Sequence, residues 1–77
     1  MTDIHQAAEY IIQAVVVDSD NVVVESRDEN GMTILEVSAP SETIGQIIGK
    51  DGKIIKSIRT LLNLAFPETR YLLQIKE

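Results

Sequence analysis

The stretch from Ile44 to Arg59 reads IGQIIGKDGKIIKSIR, and its residue types suit the binding of an anion. Gly49 and Gly52 bracket Lys50 and Asp51. Two glycines at this spacing let the backbone turn tightly and let a ligand come close to the main chain. Lys50 sets a flexible positive charge at the tip of that turn. A helix starting at about Gly52 would present amide N–H groups and the positive end of its dipole, and both favour an anion there. Lys53, Lys56 and Arg59 follow at intervals of three. On a helix each such step shifts the position by about 60°, so the three form an oblique basic strip leading away from the turn. A chain of phosphates can track such a strip.

This concentration of charge stands against an acidic background. The 77 residues hold 12 acids and seven bases, for a net charge of −5. Residues 1–49 carry nine acids and one base, Arg27, whereas residues 50–59 carry four bases and one acid, Asp51. The overall charge argues against a nucleic-acid partner, because phosphate is repelled by an acidic surface; the local excess argues for one. Other chemistries lack their residues. There is no cysteine, hence no disulfide framework and no thiolate metal site. His5 is the only histidine, expected to be solvated near a helix start, so the usual nucleophile and metal constellations cannot be assembled. No enzymatic activity, cofactor or metal is expected. Asp18-x-Asp20 with Glu29 mimics part of a calcium loop but puts Val22 and Val23 where an oxygen ligand and a glycine are needed. Gly45 to Asp51 has one residue too few for a P-loop and no Ser or Thr after the lysine.

The elements that must hold the turn follow from periodicity. Ile4, Ala7, Ala8, Ile11, Ile12, Val15 and Val16 form one apolar stripe on a first helix, with Asp3 and Gln6 spaced as a capping box. Asp18 to Asn21 breaks it. Val22 to Arg27 and Met32 to Ala39 read as strands, separated by Asp28-Glu29-Asn30-Gly31, and Asn-Gly is a strong hairpin signal. Val22 and Val24 should face the core opposite Leu35, Val37 and Ala39. Pro40 and Ser41 start a short helix running through Ile48. A second runs from about Gly52 to Ala65 on Ile54, Ile55, Ile58, Leu61, Leu62 and Ala65, and Pro67 stops it. Arg70 to Lys76 reads as a last strand with Tyr71, Leu73 and Ile75 on one side. A helical crossover should make it parallel to the second strand. The expected fold is a two-layer α+β domain, α-β-β-α-α-β, with three helices on one face of a three-stranded mixed sheet. One domain over 1–77 is expected. The apolar runs are short, Val15 to Val17 and Val22 to Val24 among them, whereas a membrane span needs about 20 residues. The start, Met1-Thr2-Asp3-Ile4-His5, lacks a signal-peptide pattern, so a cytoplasmic location is expected.

The string Ile47-Ile48-Gly49-x-x-Gly52-x-x-Ile55, with Gly45 upstream, resembles the core of a KH domain, and the element order resembles the type II topology. The whole chain is similar to the small single-KH bacterial proteins of the KhpA kind. The resemblance implies a non-catalytic module that clamps the backbone of about four single-stranded RNA nucleotides at a GxxG loop, with the bases in an apolar groove. A role in post-transcriptional regulation or RNA chaperoning would go with it. By position, the loop is Gly49, Lys50, Asp51 and Gly52. Gly45, Ile48, Lys53 and Ile54 would line one wall, Lys56 and Arg59 would extend the basic strip, and Arg70 and Leu72 are weaker candidates for the far wall. Asp51 departs from what phosphate favours; it could instead cap the following helix. With Tyr10, Phe66 and Tyr71 as the only aromatics, a base-stacking platform is not expected.

The alternative is a protein–protein interaction module that keeps the KH shape with weak or no RNA binding. Val23, Ile34 and Leu72 among Glu25, Glu36 and Gln74 would make an apolar patch on the outer sheet face, suited to a homodimer. The resemblance also implies a KH-containing partner of the KhpB or Jag-like type.

Overall fold

Asp3 opens the first helix, α1 (Ile4–Val15). Its carboxylate accepts from the Gln6 amide at 2.8 Å, and the Asp3 amide donates to the Gln6 side chain at 3.4 Å. That is the reciprocal capping box read from the spacing, a device worth about 1 kcal/mol. Ile4, Ala8 and Ile12 are buried beneath the helix. The structure is a computed structural model and describes residues 3–76; Met1, Thr2 and Glu77, the ends of the expected 1–77 domain, lie outside the described residues. Beyond α1 a single 3-10 turn, Ser19–Asn21, carries the chain to the sheet, and the Asn21 side chain donates to Asp18 at 2.6 Å.

Strands β1 (Val23–Glu29) and β2 (Met32–Ser38) pair antiparallel, with Val24 opposite Val37 and Glu29 opposite Met32. Only Asn30 and Gly31 lie between them, with φ of 51° and 81°. Positive φ at both central positions is what a type I′ hairpin turn demands. Asp28 and Glu29, read from the sequence as part of the turn, therefore belong to β1. Val24, Leu35 and Val37 are buried on the inner face, and Val22 is buried just ahead of β1.

Two helices, α2 (Ser41–Ile48) and α3 (Lys53–Ala65), then carry the chain across to β3 (Tyr71–Lys76). β3 is parallel to β2, with Leu35 opposite Leu73, and the sheet order is β1-β2-β3. The expected α-β-β-α-α-β two-layer fold is the one observed. Ile12, Leu35, Val37, Ile47, Ile58 and Leu62 are the largest fully buried side chains among the described residues, drawn from all three helices and the central strand. No helix among the described residues is long and apolar enough to cross a membrane.

Three readings need correction. Leu61 and Ala65 are exposed rather than core, because the residues that α3 buries are Ile55, Ile58 and Leu62, with half-buried Ile54 packed beside them; Leu61 stands about 100° around the helix from Leu62, and Ala65 is the last residue of α3. Ile34 lies on the outer face yet is only 6% exposed. His5 is not simply solvated: its half-buried ring places Nε2 2.7 Å from the Val24 carbonyl. That oxygen can only accept, so Nε2 carries the proton and donates.

Candidate functional site

The turn between α2 and α3 is built from three consecutive constraints. Gly49 has φ 76° and ψ 175°, a region open essentially to glycine alone. A Cβ placed there would overlap Ile54 Cγ1 and lie 2.8 Å from Ile54 Cβ, so the Gly49 main chain rests directly on that side chain. The Gly49 amide donates back to the Gly45 carbonyl at 2.9 Å, and the Gly52 amide donates to the Gly49 carbonyl at 3.2 Å. The Lys53 amide then donates to the Lys50 carbonyl, across Asp51 (φ 58°, ψ 22°) and Gly52 (φ 74°, ψ 17°). Both central residues are left-handed, again the type I′ pattern, for which Asp-Gly is among the favoured pairs.

That geometry gives a structural reason for an acid at position 51. Aspartate tolerates the left-handed region better than most residues. The expectation that its carboxylate caps α3 is not met: Gly52 is the N-cap and no side chain bonds to it. Asp51 is exposed and stands outside every ion pair among the described residues.

Lys50, Lys53, Lys56 and Arg59 are all exposed, and none makes an ion pair among the described residues. The contrast with the outer sheet face is informative. There Arg27 donates from Nε to Glu29 at 2.7 Å and lies 3.6 Å from Glu36, which in turn lies 3.9 Å from Lys76. The bond to Glu29, chiefly, raises the Arg27 pKa above its usual value. Arg27 and Lys76 on that face are thus partnered, while the bases beside the turn face solvent. Ser57 and Thr60 donate their hydroxyls to the carbonyls of Lys53 and Lys56, at 2.9 and 3.0 Å, so both stay folded against α3 between the bases.

One flank of α3 can be located from Tyr71. Its hydroxyl lies 2.8 Å from Asn63 Oδ1 and 3.2 Å from the Arg59 carbonyl. Burial raises the Tyr71 pKa, and the Arg59 charge partly offsets the rise. Arg59 therefore stands over the start of β3, while Lys53 sits at the solvent crest of the first turn. Ile54 and Lys56 are about 160° apart around the helix, so the apolar wall residue and the outer half of the basic strip do not share a side.

The remaining site residues are distributed unevenly. Gly45 lies one turn before Gly49 on α2, with nothing within 4 Å of where a Cβ would stand. Ile48 and Ile54 are half-buried and pack against the core. Arg70 is not brought to the turn. Its carbonyl accepts from the Thr33 amide at 2.9 Å immediately ahead of β3, and strand alternation sends its side chain to the face of Leu72 and Gln74, away from the helices. Gln46 was missed by the sequence reading. Its Oε1 accepts the Val17 amide at 2.9 Å and ties the α1–β1 connection to α2 beside the turn. Residues 29 positions apart leave no local signal of such a bond. Among the described residues there is no enclosed cavity and no group of three metal-ligating side chains, so a ligand here would lie on an open surface.

Comparison with known proteins fits this arrangement. A family model described as KhpA/KhpB, KH domain, matches residues 5–75. The RNA-binding protein KhpA of Thermotoga maritima is 37% identical over 62 residues, spanning 80% of this chain and 83% of that one. The RNA-binding protein KhpA of Treponema pallidum is 38% identical over 68 residues, spanning 86% of this chain and 85% of that one. Among solved structures, Era of Aquifex aeolicus bound to GDP and aluminium fluoride superposes with a TM-score of 0.61 at 14% identity. A structure of Era with MgGDPNP and nucleotides 1506–1542 of 16S ribosomal RNA gives the same values. In both, 95% of this chain matches 30% of the other, a likeness of fold.

Proposed function

This chain belongs to the KhpA/KhpB KH-domain family, and on that premise we propose that it binds single-stranded RNA, without catalysis, through the Gly49–Gly52 turn and the first turns of α3. The observation that carries the reading is the set of four exposed, unpaired bases beginning at that turn, among the described residues. The RNA-binding names of the relatives support it. Backbone phosphates lie against the turn between Lys50 and Lys53, where the α3 dipole adds to the attraction. The strand leaves past Lys56 and Arg59. The open surface at Gly45 lets the sugar-phosphate chain approach α2, and Ile48 and Ile54 offer half-buried apolar contact to bases. The proposal includes a single KH domain over 1–77, a cytoplasmic location and a role in RNA regulation or chaperoning.

Fluorescence anisotropy with a short unstructured RNA tests it. With about three phosphates neutralised, log K should fall with log salt at a slope near −2. Absence of binding at low salt, or an affinity indifferent to salt, would contradict the proposal.

A second reading has its own observation. Val23 and Leu72 are 52% and 43% exposed on the outer sheet face, the surface we assign to a second copy or to a KH-containing partner of the KhpB or Jag-like type. It is crossed by the Arg27–Glu36–Lys76 ionic row. The two readings use opposite faces and are compatible.

A further inference from the structure

Asn63 is exposed on α3, yet its side chain is held in one orientation. The Tyr71 hydroxyl has a single proton to give, and Asn63 Oδ1, at 2.8 Å, is its nearer acceptor. The Arg59 carbonyl is farther, at 3.2 Å, and its place in the helix ladder already gives it the main-chain amide of Asn63, four residues on. With Oδ1 engaged, Nδ2 turns outward, and it has no acceptor among the described residues. Arg59 lies one turn back and about 40° around the helix, exposed and without an ion pair among the described residues. Its charge is felt at the Tyr71 hydroxyl, which places the guanidinium on the same flank. The solvent-facing nitrogens of both side chains are donors only. A neutral amide pinned in this way adds nothing to the attraction for phosphate, but it can recognise the edge of a base.

Resting on the RNA-binding reading above, we infer that Arg59 and Asn63 recognise one guanine of the bound strand along its N7 and O6 edge, with Tyr71 as the positioning residue. That edge carries two neighbouring acceptors and no donor, which matches a flank of donors. Adenine sets an amino group beside its N7, cytosine presents one at N4, and uracil offers the single acceptor O4. An unstacked base in a single strand leaves the edge free for such contacts. The roughly three phosphates that set the expected salt slope are met by Lys50, Lys53 and Lys56, which leaves Arg59 for the base.

The test is anisotropy with hexauridine and with hexauridines carrying one guanine, adenine or cytosine at each position in turn. Guanine should bind the wild type about fivefold or more tightly than adenine at one position. Asn63→Asp still accepts the Tyr71 proton but replaces the outward donor with an acceptor, so this ratio should fall to about one. Tyr71→Phe frees the Asn63 amide to rotate and should lower the ratio in the wild-type background. In the Asn63→Asp background it should change the ratio no further, because the two residues act as one unit. A ratio, unlike an affinity, is not moved by a general loss of stability. A wild type that binds every hexamer equally, or prefers another base, overturns the inference and leaves RNA binding standing. So does a guanine preference that survives Asn63→Asp. A wild type that binds none of the hexamers at low salt overturns both.

Discussion

Lys50→Asp combined with Lys53→Glu should remove measurable RNA binding at low salt while the domain unfolds at nearly the wild-type temperature. Both side chains are exposed and unpaired among the described residues, and surface changes of this kind usually alter stability by no more than about 0.5 kcal/mol. Glu at the first position of α3 even suits the helix dipole. Binding is another matter. A hydrogen bond to a charged group contributes about 1.5–3 kcal/mol, so losing two such contacts costs at least about a hundredfold in affinity, before the added repulsion. Anisotropy at low salt reads the loss, and thermal unfolding reads the fold. A double variant that binds RNA like the wild type would remove the turn from the mechanism.

Gly49→Ala should act in the opposite way, through the fold. The backbone there sits at φ 76° and ψ 175°, where a non-glycine residue costs about 1–3 kcal/mol. The new methyl would also meet Ile54 Cγ1 and Cβ, and crowding of a packed site adds about 1–3 kcal/mol. A loss of about 3–4 kcal/mol is large for a chain whose total stability is roughly 0.05–0.15 kcal/mol per residue. It corresponds to a fall in Tm of about 12–30 °C. Gly45→Ala is the internal control: that position is open and helical, so the methyl should be tolerated or mildly stabilising. Equal melting temperatures for Gly49→Ala and the wild type would mean that the turn relaxes freely and is not a rigid element.

The sequence was legible where the signal is local. The Asp3–Gln6 capping box, the Asn30-Gly31 turn and the alternation around Leu35 and Leu73 each depend on residues a few positions apart, and each is found in the structure. The parallel placement of β3 followed from the crossover alone. What was not legible depends on contacts between distant segments or on the exact turn type. The hydrogen bond from His5 to Val24 and the Gln46 bond to Val17 join elements far apart in the chain. Leu61 reads as part of an apolar stripe until the width of the α3 contact with the core is known. Asp51 looks like a helix cap by residue type, and only its φ shows that it serves a second type I′ turn instead. Arg70 looks like a site residue by charge, and only the strand register shows which face it joins. For the candidate site, then, the GxxG turn, its basic strip and the two faces of the sheet could be read in advance, whereas the placement of Arg70 and the turn conformation of Asp51 could not.

The most direct measurement is an amide chemical-shift titration of the domain with a pool of short single-stranded RNAs. The expected map has its largest shifts between residues 45 and 56, centred on Lys50 to Lys53, with smaller changes reaching Arg59 and none across the outer strand face. Shifts confined to Val23, Leu72 and their neighbours, with the turn silent, would contradict RNA binding at the Gly49–Gly52 turn.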